Sequence, residues 1–274
     1  MNPPLITNIH KTTQGKPIMS SAPLVSIITV VRNDAANLLR TIQSIAPYKN
    51  DRVEYVIVDG ASTDDTLKVA ELHREMIDVL VSEPDKGIYD AMNKGIDLAH
   101  GKFLLFLNAG DELTAELTAM VDMAPENSVL IYGKTTMINP DGTFDYIKGK
   151  RLKSIQRFLK GMPLCHQAIL YRREVIGHYD IDFKVMSDRV LTYNILNKHG
   201  LKRTYFVDQI MATYYQGGIS GNYGDEFLAA EAEKFFRSVG KTHYIYIKQF
   251  NFIFKHKLKL PLLNFIRKLT GTNS

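Results

Sequence analysis

Four aspartates and one histidine-glutamine pair stand where side chains of those types could do chemistry. Asp59 closes a β-branched run, Asp85 lies in the turn SEPDKG, Asp111 ends FLLFLNAGD, and Asp188 sits in MSDRV ahead of a helical pattern. Carboxylates at strand ends can hold a nucleobase or ribose through charge-assisted hydrogen bonds, or a divalent cation that neutralises a diphosphate. The competing duty for any one of them is helix capping, and Asp64 or Asp65 is read as such a cap. Asp188, at a helix start, is stabilised by the helix dipole whatever its function. His166-Gln167 follows a strand entrance and could hydrogen-bond a sugar or a phosphate.

The commoner signatures are missing. Arg32-Asn33-Asp34 stands where a dinucleotide fold would carry G-x-G-x-x-G, and GIDLAHGK lacks the glycine spacing and following Ser/Thr of a P-loop. H-E-x-x-H, paired C-x-x-C and G-x-S-x-G are absent as well. The polar residues therefore bind or react by some arrangement other than these.

The elements that must position them alternate. LVSIITVV (24–31) is a nearly continuous apolar run, the pattern of a strand buried on both faces. Asp34 is a candidate cap for a helix placing Leu38, Leu39, Ile42 and Ile45 on one face. VEYVIV (53–58) gives a second strand, 65–77 a helix and 79–81 a third strand. Ile88, Ala91, Met92, Gly95, Ile96 and Ala99 recur at helical spacing before a fourth strand at 103–107. Further strands are expected at 129–135, 143–148 and 203–207, and helices at 151–160 and 187–199. Repeated βα units predict an α/β fold with a mostly parallel, Rossmann-like sheet flanked by helices and ligands at the carboxyl ends of its strands.

Composition sets the outer limits. With 274 residues and 45% hydrophobic content the chain has material for a sizeable core. The single Cys165 forms no internal disulfide, which suits a cytoplasmic setting. Residues 1–23 read as a loose polar arm, and no segment is apolar over the roughly 18 residues a bilayer span requires. After Glu233 there are nine Lys/Arg and no acid, so of the total +5 charge the preceding part carries 25 basic against 29 acidic residues, or −4. That basic helical extension, 226–274, is either a segment lying on an anionic membrane surface, peripheral at the inner face of the plasma membrane, or a packing helix with a solvated basic face. Nucleic acid is not an indicated partner, because no reading motif accompanies the charge.

The strings VSIITVVRND, VIVDGASTDDT, SEPDKGIYDAMNKGIDLAHGKFLLFLNAGD, CHQAILYRREV and MSDRVLTYNI, in this order, resemble family 2 glycosyltransferases of the GT-A fold, and most closely the colanic-acid and exopolysaccharide type. The likeness covers about residues 24–220, with the GT-A domain expected over 24–225.

The resemblance implies a nucleotide-sugar donor, usually a UDP-sugar, with Mg²⁺ or Mn²⁺ on its diphosphate, and a glycan or polyprenyl-pyrophosphate-linked acceptor. It places Thr29, Arg32 and Asn33 beside the nucleotide and has Asp59 accept from the uracil. Asp85 and Lys86 match the stretch that closes over the nucleotide sugar, with Asp90 and Asn93 beside it. The acidic metal motif of the fold stands here as Asn108-Ala109-Gly110-Asp111, leaving Asp111 as the metal carboxylate and Asn108 with only a neutral oxygen. Inverting transfer needs a base opposite the leaving diphosphate, and Asp188 matches the family's catalytic aspartate. His166 and Gln167 resemble the acceptor-side pair, and the GGIS loop (217–220) a lid or an ordinary turn. A sugar nucleotidyltransferase, or a nucleotide-sugar-binding scaffold without catalysis, is the rival reading.

Overall fold

The computed structural model describes residues 22–218 and 223–245, and divides into two compact units after Tyr223. Residues 1–21 of the expected arm at 1–23, the tip of the glycine loop at 219–222 and the tail after 245 lie outside the described residues.

The first unit is built on one sheet of nine strands. These are β1 (Val25–Val31), β2 (Val53–Asp59), β3 (Val79–Ser82), β4 (Phe103–Phe106), β5 (Glu112–Leu113), β6 (Leu130–Ile138), β7 (Phe144–Lys148), β8 (Ile169–Arg172) and β9 (Thr204–Tyr215). Their order is β3-β2-β1-β4-β8-β6-β9-β5, with β7 paired to β6 beside this path. β1, β2, β3, β4, β6 and β9 run one way and β5, β7 and β8 the other, so the sheet is mostly parallel. Every residue of β1 and β2 is buried, as their nearly continuous apolar runs require when helices cover both faces.

Helices α1 (Ala35–Ile45), α2 (Thr66–Leu72), α3 (Ile88–Leu98), α4 (Leu117–Met123) and α5 (Ser187–His199) complete this unit. Leu38, Ile42 and Ile45 of α1 join Ile27, Tyr55, Ile57, Leu105 and Leu107 in the core.

Several boundaries differ from the sequence pattern. The helix expected at 65–77 stops at Leu72 and continues as turns to Ile77. The helix expected at 151–160 is a short 3-10 turn, Ile155–Leu159, started by Ser154 Oγ accepting from Gln156 N. The last strand runs twelve residues instead of five, because β9 pairs along the whole length of β6 despite a register shift. Asp34 makes no side-chain capping bond to α1, and Asp65, at the N-terminal cap of α2, makes none either; Asp64 Oδ1, one residue earlier, accepts from Thr66 N at 3.0 Å.

The second unit contributes helix α6 (Asp225–Ser238), with Glu231, Ala232, Phe235 and Phe236 buried and Tyr244 stacked on Phe236 at 5.6 Å. No helix among the described residues is long and apolar enough to cross a membrane.

Candidate active site

The strand ends of β1 and β4, the start of α5 and the turns after β6 and β9 enclose a cavity of about 1470 Å³. Its wall includes Arg32, Asp85, Asn108, Asp111, His166, Gln167 and Asp188. Of the residues singled out from sequence, these seven are brought together.

The turn that carries Asn108 and Asp111 is fixed by α1. Gly110 adopts φ +98°, a left-handed conformation that a side chain would strain, and donates its N–H to Thr41 Oγ1 at 3.0 Å. Thr41 Oγ1 in turn donates to Asp111 O at 2.8 Å. The Asp111 side chain is then buried, at 5% exposure, with Oδ2 accepting from Gln167 Nε2 at 2.7 Å and Oδ1 from Tyr215 N at 3.4 Å. Burial pushes its carboxyl up to about 7, against the opposing bond from Gln167. Gln167 is itself oriented by Cys165, whose buried thiol donates to Oε1 at 2.9 Å.

His166 links the two ends of the site. Its Nε2 lies 3.4 Å from Asn108 Nδ2 and its Nδ1 3.4 Å from Asp188 Oδ2. Both His166 and Asp188 keep 16% of their side-chain surface open. Burial alone would raise the Asp188 carboxyl, but the hydrogen bond and charge of His166, the backbone of Arg189 and the charge of Lys148 outweigh it and hold the group below the usual carboxylate range. Asp188 is therefore an ionised acceptor at neutral pH, facing a cavity, which is the state a proton-abstracting base needs.

Asp85 and Arg32 also line the cavity. Asp85 Oδ1 accepts from Gly87 N at 2.8 Å, and its other oxygen lies so near Gly60 that a Cβ there would meet it at 2.3 Å. A side chain at position 60 would displace this carboxylate from its place.

The remaining expected residues do not line this cavity. Thr29 is fully buried, donating to Leu107 O at 2.7 Å and accepting from Tyr55, so it ties β1 to β4 and does not line the cavity. Asn33, at φ +51°, accepts from Thr63 N at 2.8 Å and pins the turn after β1 to that after β2. Asp59, fully buried at the end of β2, has its carboxylate taken by Ser62 N at 2.9 Å, by Ser82 Oγ at 2.6 Å and by the Ser62 hydroxyl. Lys86 is exposed outside the cavity wall, and its N–H donates to Asp90 Oδ2 at 3.0 Å. Asn93 clasps Tyr179, donating to its carbonyl at 2.9 Å and accepting from its N–H at 2.7 Å. That clasp seats Tyr179 against Tyr89, ring centroids 5.4 Å apart, whose hydroxyl lies 3.5 Å from Asp188 Oδ1.

Two cavity residues had no signal in the sequence. Tyr89 reads as one more apolar residue of α3, and Lys148 as the last residue of an alternating strand; only the pairing of β7 with β6 brings Lys148 to the wall.

The sequence model of "Glycosyl transferase family 2" matches residues 26–180, more than half of the chain. The chain belongs to this family. A relative named "PGL/p-HBAD biosynthesis glycosyltransferase" from Mycobacterium bovis (strain BCG / Pasteur 1173P2) is 35% identical over 225 residues, covering 76% of this chain and 84% of the relative. "UDP-Glc:alpha-D-GlcNAc-diphosphoundecaprenol beta-1,3-glucosyltransferase WfgD" of Escherichia coli is 25% identical over 181 residues, 65% of this chain and 72% of the relative. Among solved structures, S. aureus TarS 1-349 in complex with UDP-GlcNAc superimposes with a TM-score of 0.63 at 18% identity, over 85% of this chain and 73% of that one. Glucosyl-3-phosphoglycerate synthase from Mycobacterium tuberculosis, crystallised with Mn²⁺, UDP and glucosyl-3-phosphoglycerate, gives 0.55 at 16% identity over 79% and 78%. At these identities the structures show the shared GT-A fold. The protein is a glycosyltransferase.

Proposed function

We propose that this glycosyltransferase inverts the anomeric centre, taking its sugar from a UDP-sugar and passing it to a glycan carried on a lipid diphosphate, in surface polysaccharide assembly of the exopolysaccharide type. The observation that carries the reading is Asp188: an ionised carboxylate held by His166 and Tyr89 on the wall of the cavity that also contains Asp111. A solved neighbour bound to UDP-GlcNAc and a relative named for a diphosphoundecaprenol acceptor support the donor and acceptor classes.

A divalent cation fits the turn after β4. Asn108 Oδ1 is buried with no donor on it among the described residues, and Asp111 is a carboxylate whose burial outweighs the bonds from Gln167 and Tyr215 and the charge of His166. One carboxylate and one amide oxygen, completed by diphosphate oxygens and water, suit Mg²⁺ or Mn²⁺. Asp111 and Asn108 would hold it, and when bound it supplies charge that stabilises the departing diphosphate. The neighbour crystallised with Mn²⁺ and UDP supports that choice.

The chain's own residues do the rest. Arg32 and Asp85 flank the donor from the β1 side, and Gln167 orients Asp111. Asp188 takes the proton of the acceptor hydroxyl as that oxygen attacks the anomeric carbon, while Tyr89 and His166 hold the carboxylate in place. No covalent sugar-enzyme bond forms. A panel of UDP-sugars offered with a lipid-diphosphate sugar acceptor, with and without EDTA, tests the reading. It predicts metal-dependent transfer from at least one donor; donor binding without transfer would favour a non-catalytic scaffold instead.

A further inference from the structure

Strand β7 is unlike the other strands of the sheet. Four of its five residues are exposed, so both of its faces are open, yet it carries Phe144, Tyr146 and Ile147 at 61%, 46% and 46% exposure. Three of the seven large apolar side chains exposed among the described residues thus lie in one five-residue strand. Such a concentration marks a surface built to meet something apolar.

Charge says what that is. From Phe144 to Lys160 the chain carries six Lys/Arg and a single acid, Asp145. Beside Ile147 a recess of about 360 Å³ is lined by Lys150 and by Arg151, whose guanidinium lies over the Phe206 ring at 5.4 Å. Lys134 in the same recess is paired with Asp208, whereas Lys150 and Arg151 have no acidic partner among the described residues. Apolar side chains interleaved with unpaired cations match the interface of an anionic bilayer, where rings enter the headgroup region and Lys/Arg meet phosphate.

The position fits as well. The turn joining β6 to β7 puts Pro140 and Gly142 on the wall of the catalytic cavity, and Lys148 at the end of β7 is on that wall too. A membrane met by β7 would lie at the rim through which an acceptor carried on a lipid enters.

We propose that β7 and the basic segment after it form the face by which this protein docks on an anionic lipid surface. This deepens the proposed function, since it rests on a lipid-linked acceptor.

The test is flotation of the full chain with vesicles of phosphatidylglycerol and phosphatidylcholine, and with phosphatidylcholine alone, in the absence of donor and acceptor. Wild type is expected to bind the anionic vesicles and to be released by salt. The Phe144→Ser, Tyr146→Ser, Ile147→Ser variant and, independently, the Lys150→Glu, Arg151→Glu variant should each bind about tenfold or more weakly. Transfer to a water-soluble acceptor should be unchanged in both, which also reports that they fold. Variants that bind like wild type, equal binding to neutral vesicles, or release of a bound second protein copy by the same substitutions would overturn the proposal. Docking could fail while transfer persists, or transfer could fail while docking persists, so the two readings stand or fall separately.

Discussion

At the end of β2 the Asp59 carboxylate is filled by serine donors, whereas on the cavity wall Asp188 meets His166 and Tyr89 only at 3.4 and 3.5 Å and Asn108 keeps a buried oxygen without a donor among the described residues. At the end of β2 the protein itself completes the bonds of this carboxylate, and the role proposed for Asp59 is to frame the site. The β4–α5 side leaves capacity unused, as a surface does when its remaining partners arrive with the substrate. Polar groups of the same type thus divide by whether the protein itself completes their hydrogen bonds.

The contrast yields graded predictions. Replacing Asp188 by Asn should lower the transfer rate constant by roughly a thousandfold, the scale of a lost general base. UDP binding by calorimetry should stay within about twofold, since the carboxylate is proposed to act on the acceptor and not the donor. A donor affinity that fell as far as the rate would move Asp188 to the binding side of the comparison.

Asp111→Ala should weaken donor binding in Mn²⁺ by about tenfold to a hundredfold, and EDTA should do the same to wild type. Because burial raises the Asp111 carboxyl to about 7, Mn²⁺ must compete with a proton there. Mn²⁺ affinity should therefore fall as pH drops through 7 in wild type, and lose that dependence in Asp111→Ala.

On the frame side, Asp59→Ala strips a buried acceptor from Ser62 and Ser82. It should cost about 1–3 kcal/mol in denaturant unfolding, with the remaining folded protein still turning over. Should activity vanish while stability is untouched, Asp59 would belong with the working residues. The smallest effect is expected at Arg52, whose paired bonds to Asp122, 2.9 and 2.6 Å, lie in solvent on the far end of the strands. Arg52→Ala should leave the unfolding midpoint and transfer unchanged within error, as exposed pairs generally do.

The same division explains what could be read from sequence. β1 to β4 and their helices were legible because each is a contiguous run with one period, and the parallel order follows from βα repetition. Asp111, Asp188 and the His166-Gln167 pair were legible through their strings, and the structure gathers them on one cavity wall. Thr29 and Asn93 matched the same strings but do not line the cavity, and their bonds go to partners distant in sequence: Leu107 and Tyr55 for one, the Tyr179 backbone for the other. The long β9 and the place of Lys148 depend on pairing with β6, a choice set by the sheet and not by any local pattern. The short 3-10 turn at Ile155–Leu159 shows the converse, a helical pattern cut short by its surroundings.

The anomeric configuration of the product, followed by proton NMR from the first turnover with wild-type enzyme, tests most directly the idea of one displacement with Asp188 as base. A UDP-α-sugar should give a β-linked product from the earliest spectrum. An α-linked product would mean that the displacement is not single, and the role given to Asp188 could not stand.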